Sequence, residues 1–229
     1  SGLSRKLQEK VFNYYWRSSQ MPEKRDLFHR IGLVGLFMFF LSFSTQGQQL
    51  NLALFGGINV SQVSGDIYTG FNKLGFNAGV SVNRLIDKQF HWQAELKYST
   101  RGVYEGPTDN NQSLYKSSYH ILELPLSVNY LFDEKIKVEL GTSPEVLLST
   151  FFWDENGLMD RSTYPDNRKI GLSVFAGIGY WFGQRIMAGI RYTNSAVPFR
   201  DPEEWNNSQY RGYFHNAMSV SLAYQLAPR

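Results

Sequence analysis

From Gln49 onward, apolar and polar residues take turns along the chain. In Phe90 to Ser99, Trp92, Ala94, Leu96 and Tyr98 alternate with His91, Gln93, Glu95 and Lys97. Side chains on a β-strand point to opposite faces with period two, so this segment reads as a strand with one apolar and one polar face. The alternation recurs and predicts strands over 49–59, 71–86, 90–104, 118–132, 136–149, 169–183, 186–197 and 214–226. In each of them the apolar set falls on the even numbers. Leu122, Leu124, Leu126, Val128 and Tyr130, for instance, oppose Glu123, Ser127 and Asn129. No stretch after Gly47 carries a helical period of convincing length.

The connections fall into two classes that alternate. Asp87-Lys88-Gln89, Asp133-Glu134-Lys135 and Gly183-Gln184-Arg185 are tight hairpin turns, whereas 60–70, 105–117, 150–168 and 198–213 are long and rich in Gly, Pro, Asn and Asp. Eight antiparallel strands with short turns at one end and long loops at the other are the pattern of an outer-membrane barrel, in which the short turns face the periplasm. The expected fold class is therefore all-β: an eight-stranded antiparallel transmembrane up-and-down β-barrel. A soluble barrel of lipocalin type also alternates, but its apolar face would point inward. Here the apolar face ends in Trp92, Tyr98, Tyr130, Tyr180, Phe182 and Tyr224, as membrane-interface girdles do, while the other face carries full charges.

Composition agrees with two solvents. The chain is 16% aromatic and 19% charged, rich in rings and lean in charge for a soluble protein. It has no cysteine, which excludes a disulfide framework and a thiolate metal site. The net charge of +3 is concentrated at the start: the first 47 residues hold 7 of the 23 Lys and Arg but 3 of the 20 Asp and Glu. The rest is close to neutral, so nothing points to nucleic acid.

That start reads as an export signal. Lys24, Arg25 and Arg30 precede the apolar run Ile31 to Phe43, and small residues at Thr45 and Gly47 place the expected cleavage after Gly47. The run is shorter than the roughly 20 residues a spanning helix needs, which disfavours a retained anchor. Residues 1–20 read as an extension upstream of Met21, residues 21–47 as the signal peptide and 48–229 as the barrel.

Candidate chemistry divides by location. Inward-facing Lys73, Glu95, Lys97, Arg101, Glu123, Glu139, Glu145 and Arg191 are expected to form a hydrogen-bonded network, because an eight-stranded barrel is only wide enough for its own side chains and unpaired charge there is costly. A narrow ion path is the alternative use of the same residues. On the outer wall, Ser118 and His120 share a face near the long-loop rim and are the weak catalytic candidates for a lipid-modifying enzyme. Their order is the reverse of the His-x-Ser of the lipid A deacylases, and no neighbouring carboxylate orients the imidazole. Phe151, Phe152, Trp153, Tyr164, Phe199, Trp205, Tyr210 and Tyr213 lie in the expected loops and are candidates for partner binding or for contact with lipid headgroups. No spacing of His and carboxylates suggests a metal site, and no cofactor is expected.

Several segments in order carry a family resemblance. Leu54-Phe55-Gly56-Gly57-Ile58-Asn59 with Ser64-Gly65-Asp66, then Gly75 to Gly79, then Gln93 to Ser99 with Arg101-Gly102, and Leu122 to Leu126 resemble the PorT-like outer-membrane β-barrel proteins of Bacteroidetes. The likeness spans about 50 to 226. It implies an outer-membrane barrel whose namesake serves protein export by the type IX secretion system. The expected function is a non-enzymatic scaffold or binding module, a single barrel in contact with outer-membrane lipid and with envelope or secretion-complex proteins. One departure stands at the end, where Tyr224-Gln225-Leu226 is followed by Ala227-Pro228-Arg229 rather than closing on an aromatic residue.

Overall fold

The structure, a computed structural model, describes residues 50–65, 70–107, 114–160, 166–201 and 212–227. The expected signal peptide and upstream extension lie outside the described residues. The strands are β1 (Asn51–Ser64), β2 (Lys73–Leu85), β3 (Phe90–Glu105), β4 (Tyr115–Glu123), β5 (Leu126–Phe132), β6 (Ile136–Asp154), β7 (Gly157–Leu158), β8 (Ile170–Phe182), β9 (Ile186–Ser195) and β10 (Phe214–Gln225). Every pairing is antiparallel, and the sheet closes on itself because β1 pairs with β10 from Ala53↔Gln225 to Ser64↔Phe214. β4 and β5 are one barrel strand. Both lie between β3 and β6, and the interruption sits at Leu124-Pro125, where proline has no N–H to give to the ladder. The ring therefore has eight members, and the two-residue β7 only folds back on the end of β6.

Closure follows from the solvent. A sheet with one apolar face toward lipid cannot leave an edge of unpaired N–H and C=O groups in hydrocarbon, so the first and last strands must meet. The even-numbered Leu54, Ile58, Leu74, Phe76, Val80, Leu96, Leu140, Ile178 and Leu222 are exposed on the outside. The odd-numbered Asn59, Ser61, Asn77, Ser99, Asn129, Ser143 and Ser173 are buried inside. The hairpin at Phe132 to Lys135 is a tight turn closed by Lys135 N–H donating to Phe132 O (2.9 Å). Asp133 and Glu134 take φ of 45° and 58° there, the left-handed pair that matches the twist of the flanking strands.

Two places break the even-out rule, and both lie at the long-loop end. The first is a β-bulge: His120 faces Ser149 and Ile121 faces Leu147, which leaves Leu148 unopposed. One extra residue reverses the parity of everything after it. Phe152 opposes Ser117 and is buried in the lumen at 2% exposure, while Phe151 and Trp153 point outward. β6 also continues to Asp154, so Phe151, Phe152 and Trp153 are strand residues and not the loop expected from their sequence. The apolar run Val146-Leu147-Leu148 hid the shift, because it offers no alternation to read.

The second is the start of β2. Its ladder to β3 begins only at Asn77↔Ser99; above that point, β2 packs on β3 instead of pairing with it. Phe76 N–H donates to the Thr100 hydroxyl (3.0 Å), and a Cβ on Gly75 would stand 2.2 Å from Thr100 O, so only glycine fits. β3 in turn reaches β1, where Ser61 Oγ accepts from Gly102 N–H (2.9 Å) and donates to Gly102 O (3.2 Å). Thr100 and Gly102 are thereby buried despite their even numbers.

The bulge gives a direct test. Phe152→Ala removes a packed ring from the lumen and should cost about 3–5 kcal/mol, whereas Phe151→Ala, one residue earlier but on the outer wall, should cost much less. Urea unfolding of the two variants in lipid vesicles measures the difference; equal losses would place both rings on the same side.

Candidate functional site

The lumen is built from odd-numbered side chains of all the long strands, stacked in three levels. A cavity of about 60 Å³ extends from Ala53, Trp181 and Ala223 near the short turns up to the charged Glu95, Lys137, Glu139 and Arg191, with a smaller one of about 40 Å³ at Asn129, Leu131 and Gln225. Volumes of this size, with polar groups among mostly apolar walls, suit a few ordered waters rather than a solute.

The charges meet at the upper wall of the larger cavity. Arg191 on β9 forms a fork with Glu95 on β3 (Nη1–Oε2 2.9 Å, Nη2–Oε1 2.6 Å) and also donates from Nε to Glu139 on β6 (2.6 Å). Lys137 holds the other oxygen of Glu139 at 2.9 Å. Closer to the long loops, Arg101 bridges Glu123 (2.8 Å) and Glu145 (3.2 Å), and Lys97 reaches Glu123 at 3.3 Å. Ser99 and Ser173 donate to Glu123 and Glu145. Four cations thus face four carboxylates, and each carboxylate oxygen pair is held by at least one donor. The backbone makes room for them: a Cβ on Gly177 would lie 2.5 Å from Glu139 Oε1. The Phe175 ring lies under the Arg191 guanidinium at 4.4 Å, covering its face with an electron-rich surface. Lys137 escaped the sequence reading although its odd number in β6 would have found it. Lys73, expected in this network, joins none of these pairs and sits half-buried at the start of β2.

The third level is apolar. Val63, Val103, Tyr119, Ile121, Phe152 and Phe199 form a buried cluster across the long-loop mouth, with Tyr115, Leu147, Met159 and Tyr213 against it. His215 is fully buried and stacks on Phe199 with centroids 3.8 Å apart and planes 13° from parallel. Arg200 closes the top. It donates to the Tyr119 hydroxyl (3.0 Å) and to Asn167 (3.0 Å) and lies over the Tyr213 ring at 5.0 Å. Backbone bonds from Arg168 N–H to Phe199 O (2.7 Å) and from Phe199 N–H to Tyr213 O (2.9 Å) pin this segment in place. Phe199 and Tyr213, expected among exposed loop rings, are parts of a plug. Tyr164, Trp205 and Tyr210 lie outside the described residues.

On the outer wall Ser118 and His120 do not form a nucleophile–base pair. Ser118 is buried at 7% exposure beside Phe151, and the His120 Nδ1 is engaged in a short hydrogen bond with the Tyr98 hydroxyl. Among the described residues the side-chain hydrogen-bond partner of the imidazole is the Tyr98 hydroxyl, where a triad needs a carboxylate. Among the described residues no group of His, Asp and Glu could hold a metal ion.

The network predicts a cost for losing one partner. Arg101→Met leaves Glu145 without its cation and Glu123 with Lys97 alone, and should destabilise the barrel by about 3–5 kcal/mol in vesicle unfolding experiments. A loss below about 1 kcal/mol would mean that the network adjusts freely.

Solved structures to which the chain is similar include Ail, the attachment invasion locus protein of Yersinia pestis (14% identity, 77% of this chain and 98% of that one, TM-score 0.47). They also include Neisserial surface protein A (11%, 78% and 99%, 0.47) and the outer membrane protein OprG of Pseudomonas aeruginosa (11%, 78% and 97%, 0.39). A comparison with curated proteins gave no match. A family model matches residues 44–197, well over half of the chain, and its description is that of the closed barrel reached above from alternation, register and lumen chemistry. The chain is a bacterial outer-membrane protein and belongs to the outer membrane protein beta-barrel domain family.

Proposed function

We propose that this protein is a non-enzymatic barrel that works through its outer surface, as a scaffold or binding module of the outer membrane, rather than through its lumen. The observation that supports this reading is the filled interior: small cavities at the short-turn end, ion pairs at mid-height and an aromatic plug under the long loops. A solute entering from outside would have to displace Phe152, Phe199 and Tyr119 and then separate buried ion pairs. Each separation would leave a charge unpaired in a low-dielectric tube. Acid–base chemistry by the paired carboxylates meets the same barrier, since no substrate reaches them.

The resemblance to the PorT-like proteins supports a partner class, the proteins of an export or envelope-assembly complex, for which a rigid barrel offers an anchored platform. A lipid-modifying activity at Ser118 and His120 is the rival reading, and the Tyr98 hydroxyl on the imidazole weighs against it.

Two measurements separate these readings. The purified barrel in planar bilayers should give conductance indistinguishable from bare lipid, and steady single-channel steps would overturn the closed-lumen reading. Mass spectrometry of outer-membrane lipid A should be unchanged on deletion of the gene; a lost or gained acyl or headgroup mass would instead establish an enzyme.

A further inference from the structure

Near its extracellular end the lipid-facing wall carries a row of rings across four neighbouring strands. Phe76 on β2 meets Tyr98 on β3 with centroids 5.6 Å apart, and Tyr98 meets His120 on β4 at 6.0 Å. His120 meets Phe151 on β6 edge-on at 5.3 Å, and Phe151 meets Trp153 at 6.0 Å. The bulge at Leu148 completes the row, because without it Phe152 would point out and Phe151 and Trp153 would point in. Amphipathic rings on a membrane wall settle at headgroup level, so the row marks the boundary between acyl chains and headgroups.

Two lysines stand at this boundary. Lys116 lies over the Trp153 ring, its Nζ 4.6 Å from the centroid. Lys73 is held at the same rim by the Ser61 hydroxyl, which bonds both Lys73 O (3.5 Å) and Gly102 O (3.2 Å), and Gly102 pairs with Ser118, two residues from Lys116. Neither lysine belongs to any of the ion pairs among the described residues. Two cations without a carboxylate partner at the edge of a low-dielectric phase suit an anion from outside the chain. The lumen shows the contrast, since every cation in its network has a carboxylate within 3.3 Å. Below the row the wall returns to exposed Leu96, Leu122 and Val146, a surface for acyl chains.

We infer that Lys73, Lys116 and the rings from Phe76 to Trp153 form a binding site for a phosphate-bearing lipid of the outer leaflet. The two ammonium groups take the headgroup phosphate by charge-assisted hydrogen bonds, the rings seat the sugar or glycerol portion, and the acyl chains lie against Leu96, Leu122 and Val146. This site is separate from any partner bound at the loops. It would fix the barrel's depth and surround it with a preferred lipid.

The test uses the folded barrel in detergent micelles, titrated with diphosphoryl lipid A and with the same lipid stripped of its phosphates, and read by native mass spectrometry. The wild-type protein should bind the phosphorylated lipid at least tenfold more tightly than the stripped one. Lys73→Gln with Lys116→Gln should erase that preference, whereas Lys135→Gln, in a turn at the opposite end, should keep it. Inorganic phosphate at millimolar concentration should not compete. Equal affinity of the wild type for the two lipids, a preference retained in the double variant, or displacement by inorganic phosphate would each overturn the proposal. The wild-type comparison of the two lipids decides the matter even if the double variant fails to show the heat-dependent gel shift of a folded barrel.

Discussion

A polar face enclosed in a tube that lipid surrounds has to neutralise itself, and the rest of this structure depends on how it does so. The fork from Arg191 to Glu95 is the central piece. β9 and β3 stand on opposite sides of the eight-membered ring, so this ion pair crosses the lumen and joins two strands separated by 96 positions in sequence. Glu139 binds the same guanidinium from β6, and Arg101 ties β3 to β6 through Glu145. Two extended side chains are enough to span the interior, because a barrel of this strand number is only as wide as its side chains. Strand count, closure and charge pairing are therefore one constraint: a wider ring would leave these ions apart, and an open sheet would leave them in lipid.

The two ends of the lumen differ for the same reason. Small polar residues and glycine at the periplasmic end leave space that water can fill. At the extracellular end the odd positions become Val63, Val103, Tyr119 and Ile121, and the bulge delivers Phe152 to join them. Arg200 then bonds across the plug instead of pointing to solvent. This asymmetry sets where function can reside. On the proposed reading recognition falls to the loops and the outer wall, where the ring row of Phe76, Tyr98, His120, Phe151 and Trp153 is found.

Much of this was legible in the chain. Period-two alternation located all eight barrel strands, and the alternation of short turns with long loops told their direction, because both signals come from local geometry that a strand or hairpin must obey. The inward set Glu95, Lys97, Arg101, Glu123, Glu139, Glu145 and Arg191 could be read from parity alone, but its pairing could not. Glu95 with Arg191 is a fact about the ring's diameter, and no local pattern records it. Parity also failed where the chain inserts a residue. Leu148 sits in an apolar run in which even and odd positions look alike, and the aromatic triplet Phe151-Phe152-Trp153 then resembles a loop motif rather than a strand with faces exchanged. The extracellular plug was missed for a related reason: Phe199 and Tyr213 flank strands in sequence, and only the backbone bonds between Phe199, Tyr213 and Arg168 turn them inward.

The claim that a charged strut across the lumen holds the barrel is tested most directly by a double-mutant cycle on Glu95→Gln and Arg191→Met, with stability measured by urea unfolding in lipid vesicles. The account predicts that the two losses are strongly non-additive, with a coupling of about 2 kcal/mol or more. Losses that add to within about 0.5 kcal/mol would contradict it, because the two residues would then not be holding each other across the ring.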